Sequence, residues 1–242
     1  MGSTVTGIDL GIILPSCHSS LIRCRYAFSD NAPSPMSAGS AIDILSAALP
    51  KANITEDGPG WILVAHENGA LYSQVFASRH TSQVKGMLFV DGYPSTMIPR
   101  IYTPARTFLL LLRGIISPLG VDRLSDWIFK HRSRIDRVYG ASSWRSDRVI
   151  KSQFQESLAA GAITCNEIIA AEAIIPERIP VTVVSSGIPC KESKDWEEGQ
   201  RYLGRKSEKH VWDVVGNVHH DLWKDDEGRR LLKKRLGQLV KG

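Results

Sequence analysis

Two rhythms of hydrophobic and polar positions alternate along the chain. Short continuous apolar runs occur in Trp61–Ala65 (WILVA), within Val84–Gly92 (VKGMLFVDG), within Ile179–Gly187 (IPVTVVSSG) and in Lys209–Asn217 (KHVWDVVGN). Runs of this length predict strands covered on both faces, as in a parallel sheet. Between them apolar residues recur at helical spacing. Ser37–Ala52 predicts a helix with Ser37 as its N-cap, and Gly69–His80 predicts the helix that follows the first buried strand. The tail Asp225–Val240 predicts an amphipathic helix whose apolar face is Leu231, Leu232, Leu236, Leu239 and Val240.

Strand, helix and strand at this spacing form a right-handed crossover. Residues 93–175 interrupt the alternation with helical stretches: Arg106–Gly120, Arg123–Gly140 and Ser146–Ile175. The pattern predicts one domain, residues 1–242. Its class is α/β, with a doubly wound, mostly parallel sheet and a helical lid inserted at about 93–175. Ahead of the first buried run, Ile8–Pro15 and Leu21–Tyr26 read as further strands, and Ala27–Pro35 (AFSDNAPSP) as a turn-rich loop.

Composition adds limits. The 242 residues are 43% hydrophobic and 23% charged, with a net charge of +5, which is ordinary for a globular protein. The basic cluster Arg229, Arg230, Lys233, Lys234 and Arg235 follows Asp225, Asp226 and Glu227. It reads as the solvated side of the last helix, and no nucleic-acid partner is expected. Cys17, Cys24, Cys165 and Cys190 form no CxxC pair, so reduced thiols are expected, with neither a disulfide framework nor a zinc site. No metal and no cofactor is implied. The N-terminus lacks a basic segment followed by an apolar run, which points away from a signal peptide. A cytoplasmic location is therefore expected. Gly2 and Thr6 fit a loose lipidation pattern, and Asn53 opens a glycosylation sequon; membrane association is the less favoured expectation.

Three ordered blocks carry a resemblance: Arg25–Pro35 (RYAFSDNAPSP), Ile62–Gly92 (ILVAHENGALYSQVFASRH…VKGMLFVDG) and Val214–Leu232 (VVGNVHHDLWKDDEGRRLL). Together they resemble the α/β-hydrolase superfamily, in its lidded small-molecule branch. The blocks look like the loop upstream of the nucleophile elbow, the elbow itself with its helix and next strand, and the catalytic-histidine loop. The resemblance covers about residues 21–242 and implies a shortened N-terminal region.

The elbow departs from the family pattern. Where Gly-x-Ser-x-Gly is usual, this chain reads Ala65-His66-Glu67-Asn68-Gly69. Ala65 and Gly69 keep the steric permission that a strained turn demands. Glu67 has no hydroxyl for a histidine to deprotonate, so ordinary Ser-His-Asp chemistry is not expected. The resemblance implies Glu67, His220 and Asp91 as catalytic positions and the Asn68 backbone N–H as an oxyanion donor. His219 competes with His220 for the histidine role. Either a shortened loop near Ser16–His18 supplies the second oxyanion donor, or that loop is missing. His66, Trp127 and His219 are pocket candidates. The apolar lid residues Phe108–Leu112, Ile115, Ile116, Trp127 and Phe129 would line a pocket or, more simply, pack on the core. The implied function is action on, or binding of, a small apolar ester, lactone or epoxide. Related hydrolases use an elbow carboxylate, usually Asp, to open epoxides. The alternative is an inactive hydrolase fold that serves as a ligand- or partner-binding module.

Overall fold

The computed structural model describes residues 10–14, 17–21, 36–52, 54, 60–116, 119, 147–205 and 207–241. Six strands form one sheet in the order β2-β1-β3-β4-β5-β6. They are β1 (Leu10–Leu14), β2 (Cys17–Leu21), β3 (Trp61–His66), β4 (Val84–Val90), β5 (Val181–Ser186) and β6 (His210–Val215). Strands β3 to β6 are parallel. A β1–β2 hairpin adds to their edge, with β1 antiparallel to β3. The second upstream strand therefore precedes the expected Leu21–Tyr26, of which residues 22–26 lie outside the described residues. The short span between Leu14 and Cys17 permits only an antiparallel return, because a parallel neighbour needs a long crossover.

The helices are α1 (Ala38–Ala48), α2 (Gly69–Arg79), α3 (Ile98–Ile101), α4 (Pro104–Ile116), α5 (Asp147–Ala159), α6 (Cys165–Ile174), α7 (Gly187–Glu192), α8 (Lys194–Gly204) and α9 (Asp226–Lys241). A π-helical turn, Ala160–Thr164, joins α5 to α6. The described part of the insertion between β4 and β5 holds α3 to α6. Arg123–Gly140 lies outside the described residues.

Both sheet faces are covered, as continuous apolar strands require. On one face Leu63, Met87, Phe89 and Val183 meet α1, α2 and α6 through Ile42, Val75, Phe76 and Ile168. On the other, Leu88, Val90, Val184 and Val215 meet α9 through Leu231, Leu232, Leu236 and Leu239. Val240, expected on that apolar face, is 46% exposed, since it lies in the last turn of the helix. A forked pair fastens α9 to the edge strand: Arg235 donates from Nε and Nη2 to the Asp213 carboxylate at 2.5 and 2.7 Å.

Helix α1 begins where the sequence places it. Ser37 Oγ accepts from the Ser40 N–H at 3.2 Å. The insertion completes the cap: Glu167 accepts from the Gly39 N–H at 2.7 Å, and Thr164 Oγ1 from the Ala38 N–H at 3.1 Å. A carboxylate there meets the positive end of the helix. Helix α6 is thereby tied to the body of the domain.

Helix α4 corrects an expectation. Its inward side is Thr107, Leu110 and Gly114. Leu110 is buried, the Thr107 and Ser157 hydroxyls hydrogen-bond at 2.5 Å, and a Cβ at Gly114 would reach Ile150. Phe108, Leu109, Leu111, Leu112, Ile115 and Ile116 do not pack on the core but are exposed. The small residues that let α4 approach α5 occupy the one side that is covered, so the large apolar ones face outward. Trp127 and Phe129 lie outside the described residues.

Candidate active site

The site is assembled at the carboxyl ends of β3, β4 and β5, where open α/β sheets place their ligands. Strand β3 ends at His66 and α2 begins at Gly69, so Glu67 and Asn68 must reverse the chain in two residues. Glu67 does so with φ +47°. That conformation costs a non-glycine residue on the order of 1–3 kcal/mol and persists only when the surroundings impose it. The imposing contacts are visible. The Glu67 carbonyl accepts from the Tyr93 N–H at 2.9 Å and the Ala70 N–H at 3.1 Å, and the Glu67 N–H donates to the Val90 carbonyl at 3.4 Å. Asn68 stands at the N-terminus of α2, where helical N–H groups lack intrahelical acceptors.

Asp91 follows β4 in the same left-handed region, φ +46°. It is fully buried, and its carboxylate accepts from the Ser186 N–H at 2.8 Å and from the Ser186 hydroxyl. The next residue must be glycine, because a Cβ on Gly92 would lie 2.6 Å from the Ala70 Cβ. Gln200, also fully buried, donates to the Gly92 carbonyl at 2.7 Å and accepts from Ser185 at 3.1 Å. The Asp91 turn is thus held from two sides.

His220 arrives on the loop after β6. Its Nδ1 lies 3.4 Å from the Asp91 carboxylate, long for a hydrogen bond but closable by a small rotation of the ring; such bonds often tighten only around a substrate. Trp196 packs edge-on against the imidazole at 5.3 Å. The Asp91 carboxylate raises the pKa of His220 above its ordinary 6.5 against the opposing effect of burial, and the charges of Glu67 and Asp221 add to the rise. The neighbouring His219 is exposed and takes no part in this arrangement.

On its other side Glu67 lies 4.0 Å from His66 Nε2. That nitrogen is buried without a hydrogen-bond partner, and its ring meets Trp223 edge-on at 4.7 Å. The elbow carboxylate therefore sits in the field of two imidazoles, one backed by a buried acid. Tyr102, just before α4, donates to Asn68 Oδ1 at 3.1 Å and ties the insertion to the elbow. Of the expected positions, the structure brings together Glu67, Asn68, His66, Asp91 and His220. Trp127 and Ser16 lie outside the described residues, and Cys17 and His18, expected near the site, lie level with the start of β3, at the opposite end of the sheet from the elbow, because the hairpin runs antiparallel to that strand. A cavity of about 690 Å³ lies elsewhere, beside α8 and β6, lined by Arg100, Asp195, Arg201 and Trp212 among others, and it contains none of the residues around the elbow.

Sequence reasoning missed Ser186, Gln200, Trp196, Trp223 and Tyr102. Only Ser186 left a signal, as a polar residue closing a buried strand just before a glycine. That glycine sets the histidine loop. A Cβ on Gly187 would stand 1.9 Å from the Gly216 carbonyl oxygen, and this close approach lets the Ile188 N–H reach the Val218 carbonyl at 3.2 Å. Gly187→Ala is expected to destabilise the protein by a few kcal/mol, about the cost of a backbone clash that cannot relax. A urea melt checks it; a midpoint equal to that of the wild type would refute the account. Among the described cysteines, Cys165 and Cys190 are free. Burial, ahead of the Asp91 charge, pushes the Cys190 thiol up to about 11, so it is an inert thiol rather than a nucleophile.

No protein-family model matches the chain. An uncharacterized protein of Schizosaccharomyces pombe is 42% identical over 220 residues, covering 91% of this chain and 41% of that protein. An uncharacterized vacuolar membrane protein of Saccharomyces cerevisiae is 24% identical over 257 residues, covering 90% of this chain and 39% of that one. The chain thus spans about two fifths of the length of these relatives. A solved Pseudomonas aeruginosa protein proposed to be an epoxide hydrolase superposes with a TM-score of 0.65 at 16% identity, over 92% of this chain and 78% of that one. An α/β-hydrolase enzyme from a deep-sea metagenome library superposes with a TM-score of 0.60 at 12% identity, over 91% and 78%. These likenesses establish the α/β-hydrolase fold. The expected cytoplasmic location is overturned by the membrane location of the Saccharomyces cerevisiae relative. The physical reason is that the expectation rested on leader signals in this stretch, whereas the relatives carry more than half of their length elsewhere.

Proposed function

We propose that this α/β-hydrolase-fold chain is a hydrolase for a small apolar molecule of the ester, lactone or epoxide type, working through the Glu67 carboxylate in place of a serine. The observation that carries the reading is the elbow tip itself. A glutamate is held in a costly backbone conformation, 4.0 Å from His66 Nε2, with its charge acting on the His220 that lies against Asp91. Packing alone has no use for a charged residue there, and strain of this kind is found where geometry serves function.

The chemistry follows from the groups present. With an epoxide, a Glu67 oxygen attacks a ring carbon, the ring C–O bond breaks, and the freed oxygen takes a proton from solvent. The product is an ester on Glu67. Water then attacks the carbonyl carbon of that ester, giving its proton to neutral His220, whose imidazolium Asp91 stabilises. Collapse breaks the ester C–O bond, the new carboxyl passes its proton to the leaving alkoxide to give the diol and the free carboxylate, and His220 returns its proton to solvent, which balances the one taken at ring opening. With an ester or lactone, Glu67 or His220 instead serves as general base toward water, and the Asn68 N–H serves as donor to the developing oxyanion.

A panel of apolar epoxides, esters and lactones tests the reading, alongside thermal shift and fluorophosphonate labelling. Turnover of at least one class is expected, with no fluorophosphonate adduct at residue 67. Thermal stabilisation by several compounds without turnover of any would favour the binding module, and an adduct on Glu67 would overturn the elbow chemistry.

A further inference from the structure

The apolar side of α4 is turned away from the described helices and sheet. Thr107, Leu110 and Gly114 face α5. At 100° per residue, Phe108, Leu109, Leu111, Leu112, Ile115 and Ile116 then sweep a broad arc on the opposite side. Phe108 is 60% and Ile115 66% exposed, and the other four are exposed as well. A contiguous ridge of this kind is rare on soluble surfaces and marks a contact site. Arg106 and Arg113 are two turns apart and border one edge of the arc, next to Leu109 and Ile116. Apolar side chains flanked by arginines match the layering of an anionic membrane surface, where chains enter the acyl boundary and guanidinium groups remain among phosphates.

We infer that the α4 ridge docks the protein on an anionic lipid bilayer, with the helix lying in the interface plane. The vacuolar membrane location of the Saccharomyces cerevisiae relative, which matches over 90% of this chain, agrees with that occupant. The arc is on one side of a single amphipathic helix, so the surface is peripheral and not a span. Docking has a consequence at the site. Tyr102, two residues ahead of α4, hydrogen-bonds Asn68 beside the elbow, so a bilayer seated on α4 lies next to the loop that borders Glu67. An apolar substrate dissolved in the membrane would reach the site without crossing water. That consequence rests on the proposed function; the docking itself does not.

Flotation of the full chain with vesicles tests the inference, comparing phosphatidylcholine alone with phosphatidylcholine containing phosphatidylserine. The wild type is expected to float with the anionic vesicles and to be released by raised salt. The double substitution Leu112→Glu, Ile115→Glu should lower binding at least about ten-fold, because two exposed apolar anchors become charges. Arg106→Glu should lower it about five-fold or more on anionic vesicles only. Leu112 and Ile115 are exposed and, among the described residues, Arg106 makes only the local contacts to the Ile101 carbonyl and the Tyr102 ring, so circular dichroism should match the wild type; Arg106→Glu supplies a second readout if the double variant misfolds. Glu67→Gln should float like the wild type, which separates failure of docking from failure of the hydrolase reading. A wild type that stays unbound, or variants that float equally well, would overturn the inference. So would a wild-type dimer that the double substitution dissociates without any flotation, which would assign the ridge to a second copy of the chain.

Discussion

Glu67→Gln is expected to lower turnover by about 10²–10⁴-fold, the range typical for loss of one positioned acid–base or nucleophilic group. The substitution keeps the shape of the side chain and the left-handed turn, and it removes only the charge. Because the turn is imposed by backbone bonds to Tyr93, Ala70 and Val90, folding should be nearly unaffected. The expected pattern is therefore a fall in kcat with ligand-induced thermal stabilisation retained. A fall in stability without a fall in turnover would make Glu67 a structural residue. Loss of the negative charge has a second readout. Glu67 is one of the groups that raise His220, so the imidazole should titrate at lower pH in the variant, visible by NMR in the absence of any substrate.

Asp91→Asn is expected to have a comparable effect through His220. Asp91 is the dominant cause of the raised His220 pKa. A reaction that needs the neutral imidazole to accept a proton from water should rise with pH through that raised value in the wild type. In Asp91→Asn the rise should move to lower pH, toward the ordinary value near 6.5, while the plateau falls about 10²–10⁴-fold because the imidazolium loses its partner. The same linkage has a stability counterpart. A histidine raised by folding contributes stability that is present in full below its unfolded pKa and is lost as pH rises through the folded one. The wild type should therefore lose a small part of its stability between roughly pH 6.5 and the His220 titration, and Asp91→Asn should lose less. His220 is 45% exposed, so solvent keeps this contribution small. A pH–rate profile unchanged by Asp91→Asn would remove Asp91 from the mechanism. Ser186→Ala offers an internal comparison. It removes one of the two Ser186 donors to Asp91 but keeps the carboxylate charge, so the profile should not move to lower pH as it does in Asp91→Asn.

The alternation of buried strands with helices was legible because β3 to β5 are covered on both faces, and burial writes a continuous apolar run into the chain. The elbow was legible for a local reason as well: a two-residue reversal between strand and helix leaves small flanking residues, here Ala65 and Gly69. The Ser37 cap and the inner face of α9 belong to the same class of local signal. The choice between His219 and His220, by contrast, depends on a one-residue phase in an irregular loop. In the fold His220 lies 3.4 Å from Asp91 and His219 is exposed, on a loop anchored by the close approach of Gly187 to Gly216.

The remaining parts were decided between elements far apart in sequence. Ser186 and Gln200 act on the Asp91 turn across about a hundred residues, and no pattern within either segment announces that meeting. The direction of α4 shows the limit most plainly. Its sequence is greasy and helical, and by pattern alone a greasy face is an inward one. The small residues Thr107 and Gly114 took the contact with α5, because close helix approach needs small side chains, and the large apolar ones were left outside. Local pattern thus carried the strands, the helices and the chemical groups at the turns. Which of those groups meet was set by packing, since distance in space between separate elements leaves no period in the chain.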